Sequence, residues 1–133
     1  MKKLLVPVIL MFIFGAGCRK KEEPPTLTSI LISKEWRVSF ARDHSAVYTL
    51  LYSGMKFTFT ADGKVKVNDG VTTYDGAWSE NKNAETFTLD ILSPRYELDF
   101  ISDEWQVASS TYTGVNLKDN KSSATQELRF AAW

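Results

Sequence analysis

Two side chains with chemistry of their own occur once each in this chain, Cys18 and His44. His44 lies in Arg42-Asp43-His44-Ser45. A nucleophilic triad needs the imidazole between a nucleophile and an orienting carboxylate in space. Contiguous residues of an extended chain point away from one another, so this run is not read as catalytic. One His and one Cys cannot supply the several ligands of a zinc cage. Asp62-Gly63 and Asp69-Gly70 have the form of turn pairs, not of a ligand-dense calcium loop. The seven glycines are scattered and make no phosphate loop. The expectation is a protein that is not an enzyme and holds no metal or other cofactor.

Cys18 sits in a different setting. Met1-Lys2-Lys3 is a positive start, Leu4 to Phe14 is an apolar run of eleven residues, and Gly15-Ala16-Gly17 are small. This is the layout of a secretory signal. The run is shorter than the roughly 20 apolar residues that span a bilayer. Gly15-Ala16-Gly17-Cys18 resembles the lipobox of bacterial lipoproteins, with Gly15 where an aliphatic residue is usual. The resemblance implies that the leader 1–17 is removed, that Cys18 is acylated by palmitate-class chains, and that the chain is anchored to the lipid bilayer. Anchoring by more than one acyl chain is stable. Arg19 stands after the cysteine, not the Asp that retains such proteins in an inner membrane. The expected address is therefore the outer membrane, lipid-anchored, on its periplasmic or exposed side. With Cys18 the only cysteine, no internal disulfide supports the fold.

Residues 18–25 end in Arg19-Lys20-Lys21-Glu22-Glu23-Pro24-Pro25, a charged tether without an apolar residue. Residues 26–133 have the length of one domain. Without Lys2 and Lys3, 14 basic residues face 16 acidic ones. No basic excess invites nucleic acid.

Those side chains have to be placed by something, and from Trp36 onward the apolar residues recur every second position. Trp36, Val38 and Phe40 alternate with polar neighbours, as do Phe57 and Phe59, Val65 and Val67, Phe87, Leu89 and Ile91, and Leu128 and Phe130. Alternation gives each strand one apolar and one wet face. Eight strands are expected, at about 35–42, 55–61, 64–69, 72–80, 85–92, 104–111, 113–118 and 125–132. Closing such a meander removes its unpaired edges. The reading is an all-β, eight-stranded antiparallel up-and-down barrel, with a two-sheet sandwich as the alternative. A short N-terminal helical turn is expected over Leu27 to Ser33, capped by Thr26 or Thr28. The short strands between turns argue against a membrane-spanning barrel.

Ile32-Ser33-Lys34-Glu35-Trp36-Arg37-Val38 echoes Ile101-Ser102-Asp103-Glu104-Trp105-Gln106-Val107 at five of seven positions. Each Trp is expected to open a strand and point inward, plugging an end of the barrel.

Lys34-Glu35-Trp36, the Phe57 to Val65 hairpin, Gly76-Ala77-Trp78 and Ile101 to Val107, in that order, resemble the bacterial lipocalin-like lipoproteins. Lys34 departs from the family's glycine. The likeness spans about residues 30 to 131. It implies a calycin-like barrel and the binding of a small apolar or amphipathic molecule. Trp36, Phe40, Phe57, Phe59, Trp78, Phe87 and Trp105 either line a ligand cavity or fill the interior. Residues 43–54, with Tyr48, Leu51 and Tyr52, either rim the mouth as a lid or cap the core. The alternative to a ligand carrier is a structural or protein-interaction lipoprotein with a filled core, whose partners the sequence does not name.

Overall fold

The computed structural model describes residues 24–121 and 125–133. The leader 1–17, Cys18 and the tether up to residue 23 lie outside them.

The period of two becomes a continuous antiparallel sheet. Its strands are β1 (Glu35–Asp43), β2 (Ala46–Val47), β3 (Lys56–Phe59), β4 (Lys64–Asn68), β5 (Thr73–Asn81), β6 (Thr86–Ile91), β7 (Glu104–Ser110), β8 (Gly114–Asp119) and β9 (Gln126–Ala132). Each strand from β3 onward pairs with the next, and β1 pairs with both β3 and β9, so the sheet closes on itself. The closing β1–β9 ladder carries the Arg42–Glu127 ion pair at 2.8 Å. Eight strands form the ring, as expected. The ninth, β2, is two residues long and folds back on β1 from within the segment expected to be a loop. β4 shows how pattern becomes structure. Val65 and Val67 are buried inside, while Lys64, Lys66 and Asn68 face water.

Two α-helices complete the described residues. The expected one, α1 (Leu27–Ser33), is capped by Thr26, whose Oγ1 accepts from the Ser29 N–H at 3.1 Å. The other, α2 (Tyr96–Ile101), is not among the expected elements. At six residues it is too short for a helical period to stand out. Glu97 and Asp99 in its first turn complement the positive helix N-terminus.

Antiparallel pairing fixes where the helices lie. α1 leads into the start of β1, and alternate strands then reverse direction around the ring. α2 joins the end of β6 to the start of β7, which is the opposite end. Each helix covers one mouth. The sequence echo is therefore structural. Trp36 Nε1 donates to the Leu31 carbonyl and Trp105 Nε1 to the Ile101 carbonyl, each at 2.9 Å. Ser33 Oγ donates to the Ile30 carbonyl at 2.6 Å, and Ser102 Oγ to the Leu98 carbonyl at 2.8 Å. Both strands then bulge at the same place, between Val38 and Phe40 in β1 and between Val107 and Ser109 in β7.

The first bulge corrects one expectation. A bulge adds a residue to one strand and shifts its facing. Beyond it Ala41, not Phe40, is the buried residue of β1. Phe40 is half-buried on the other face, with the Arg129 guanidinium 4.9 Å from its ring centre. It does not line the interior.

Candidate functional site

The remaining residues of the expected cavity meet one another. Phe59 packs edge-on against Trp78, Phe87 and Phe130 with ring centres 5.9, 6.1 and 6.0 Å apart, and Phe57 meets Phe130 at 5.1 Å. Trp36, Phe57 and Trp105 have no exposed surface. Ile30 and Leu31 of α1, and Leu98 and Ile101 of α2, join the same core. Edge-to-face aromatic packing of this kind adds about 1 kcal/mol per pair beyond area burial. The surface concavities lie outside this core. One of about 560 Å³ runs over the outer wall beside Glu35, Lys56, Lys66 and Trp133. Another of about 330 Å³ sits at the α1 rim beside Glu80, Glu85 and Ser110.

The segment after β1 caps the α2 end. Its 3-10 turn, Thr49–Tyr52, buries Tyr52, whose hydroxyl donates to the Glu97 carbonyl at 2.7 Å. Thr49 Oγ1 accepts from the Ala41 N–H at 3.1 Å and Tyr48 N–H donates to the Ala41 carbonyl at 2.8 Å. Tyr48, half-buried, leans on Phe100 and Tyr96. Leu51 faces water.

Burial pushes the Tyr52 phenol well above its ordinary value, and the Glu97 charge pushes the same way. An acid raised in the folded state keeps its stabilising effect below the unfolded value, near pH 10, and loses it as pH climbs beyond. Stability should therefore fall above pH 10, with up to about 1.4 kcal/mol per pH unit from this one proton. Urea melts between pH 9 and 11.5 should show a shallower alkaline slope for Tyr52→Phe. An unchanged slope would mean Tyr52 is not the responsible group.

The hairpin between β4 and β5 is tied to the same end. Asp69 Oδ1 accepts from the Val71 and Thr72 N–H groups at 2.9 and 2.6 Å, and its Oδ2 takes Arg95 Nη1 at 2.8 Å. The Thr72 and Val71 N–H groups, with Arg95, hold this carboxyl below the usual carboxylate range. Arg95 also pairs with Glu97.

Around this cap the surface is apolar. Leu50 is 88% and Val71 94% exposed, and Val47, Leu51, Leu92 and Tyr96 are exposed beside them. Asp90, Asp99 and Asp103 are exposed at the same end. The sequence signal was present in hindsight: Val71 and Leu92 are large apolar residues in turns, next to Gly70 and Ser93-Pro94.

His44 stands apart from any reactive partner. Its side chain is largely exposed, its Nδ1 lies 2.7 Å from Asp43 Oδ1, and Arg42 Nη1 donates to its carbonyl at 2.6 Å. Among the described residues no group of three or more His, Cys, Asp or Glu side chains could hold a metal ion.

No family model matches the chain, and no curated protein does. Among solved structures the chain resembles a DUF4847 family protein from Bacteroides vulgatus ATCC 8482, at 16% identity and a TM-score of 0.59. The match covers 80% of this chain and 96% of that one. At this identity the likeness concerns the fold.

Proposed function

We propose that the protein is an outer-membrane lipoprotein, anchored through acylated Cys18, whose lipocalin-like up-and-down barrel docks an envelope protein at its α2 end and catalyses no reaction. One observation carries this reading. The interior that a lipocalin-like carrier would offer to a ligand is occupied by Trp36, Phe57, Phe59, Phe87 and Trp105, with a helix over each mouth, while exposed apolar side chains gather around one of those mouths. Large apolar side chains left exposed at one end of a domain are a feature of interaction sites. The partner's chemistry follows from the rim. Leu50, Val71, Leu92 and Tyr96 call for an apolar patch, and Asp90, Asp99 and Asp103 call for basic residues around it.

A photo-crosslinking residue at Leu50 or Val71 in the full-length protein should capture one and the same envelope protein from intact cells. The same residue at Lys82, exposed on the β5–β6 turn at the α1 end, should not. Leu51→Asp should cut the Leu50 crosslink at least fivefold. Equal capture from all three positions, or capture insensitive to Leu51→Asp, would refute docking at this end.

A further inference from the structure

We infer that the α1 end of the ring lies against the bilayer, with Ile32 and Tyr112 at the lipid–water boundary; this rests on the lipid anchor proposed above. The described chain enters at Pro24 and Pro25 and goes straight into the Thr26 cap of α1. The described chain therefore begins at this end, and the tether is attached there.

A second observation points the same way. Three neighbouring pieces of the α1 rim are held side by side. Ala132 N–H donates to the Thr113 carbonyl at 3.1 Å, and Trp133 N–H to the Glu35 carbonyl at 2.9 Å. This puts the β7–β8 turn, the end of β9 and the α1–β1 junction on one continuous arc. The large apolar side chains exposed on that arc are Ile32 at 41% and Tyr112 at 44%, while the Trp133 ring turns onto the outer wall, over Lys56 and toward Leu50 and Gly54. Tyr, with an apolar body and a polar tip, favours the headgroup region. Lys34, exposed between Ile32 and Glu35, suits the same layer by snorkelling. Eight residues from Cys18 to Thr26 reach roughly 26 Å at full extension. To bring the α2 end down instead, the tether would have to run the length of the wall. In this orientation the α2 rim points away from the membrane, free for a protein partner.

Acylation would consume the Cys18 thiol, so one introduced cysteine is the only reactive thiol in the lipidated protein. Tyr112→Cys and Val71→Cys, each labelled with bimane, are placed on phosphatidylcholine–phosphatidylethanolamine vesicles with brominated acyl chains. The Tyr112→Cys label should be quenched at least twofold more than the Val71→Cys label. Equal quenching, or stronger quenching at Val71→Cys, with the protein still floating with the vesicles, would overturn the orientation and leave the anchor standing. Failure to float would overturn the anchor and the orientation with it.

Discussion

Trp36→Ala and Trp105→Ala will each cost about 3–5 kcal/mol of stability, as large-to-small substitutions in a packed core do. Both indoles are wholly buried, and each N–H bonds to a carbonyl of the helix in front of it. Truncation leaves a void, an unpaired carbonyl and a helix without its pin. Against the 5–15 kcal/mol typical of a domain, either change brings the chain close to unfolding. Trp→Phe at the same sites separates the terms. It keeps most of the ring volume and loses the hydrogen bond, so the cost should fall to about 1–2 kcal/mol. The urea midpoint checks both. Because the two sites repeat one local solution at opposite ends, their losses should agree within about 1 kcal/mol. A Trp105→Ala variant as stable as the parent would contradict a filled α2 end.

Gly76→Ala should be the most damaging single-methyl change in the chain, at about 3 kcal/mol or more. Gly76 pairs with Ile91 across β5 and β6. A Cβ there would sit 2.5 Å from the Asp90 carbonyl oxygen and 2.9 Å from Ile91 Cα. Those are backbone atoms, so no side chain can swing aside. The two strands would have to part, and overpacking that moves backbone lies at the costly end of its range. Gly114→Ala is the control. Its Cβ would lie 3.6 Å from the Phe130 carbonyl oxygen, an ordinary contact. Thermal midpoints of the two variants should differ clearly, with Gly114→Ala near the parent. Gly76 and Trp78 thus have different tasks in Gly76-Ala77-Trp78. The glycine admits the neighbouring strand, and Trp78 packs inward with its Nε1 bonded to the Thr60 carbonyl at 3.1 Å.

The ring was legible because its alternation is regular. Val65 and Val67, or Leu89 and Ile91, point inward just as their spacing says, and each of the eight expected strands has its counterpart. The misplacement of Phe40 shows where that reading runs out. Up to Val38 the period of two holds, but one extra residue at the bulge puts Ala41 inside. A bulge depends on how β1 pairs with β9, and pairing is invisible along a single strand. α2 escaped notice for a related reason. Tyr96, Leu98 and Phe100 alternate like a strand, and six residues hold too few turns to say otherwise. The echo around Trp36 and Trp105 was visible as letters, yet its meaning depended on topology. Only the order of the strands sends the two helices to opposite mouths.

The candidate site was less legible than the fold. Tyr52 was foreseen within the segment between the first two long strands, and it serves there as part of a cap. Asp69 was readable as a turn residue. Its bond to Arg95, 26 positions on, was not. The apolar rim is assembled from three separate connections, each unremarkable alone. Surface patches of this kind are properties of three-dimensional assembly, and no local pattern announces them.

The central claim is that the interior is full and that the protein acts through its surface. Native mass spectrometry of the lipidated protein, purified gently from its own envelope, tests this directly. The account predicts a mass equal to the acylated chain alone. A second species carrying one tightly held small apolar molecule, lost when Phe59 is enlarged to Trp, would contradict it and return the function to the interior.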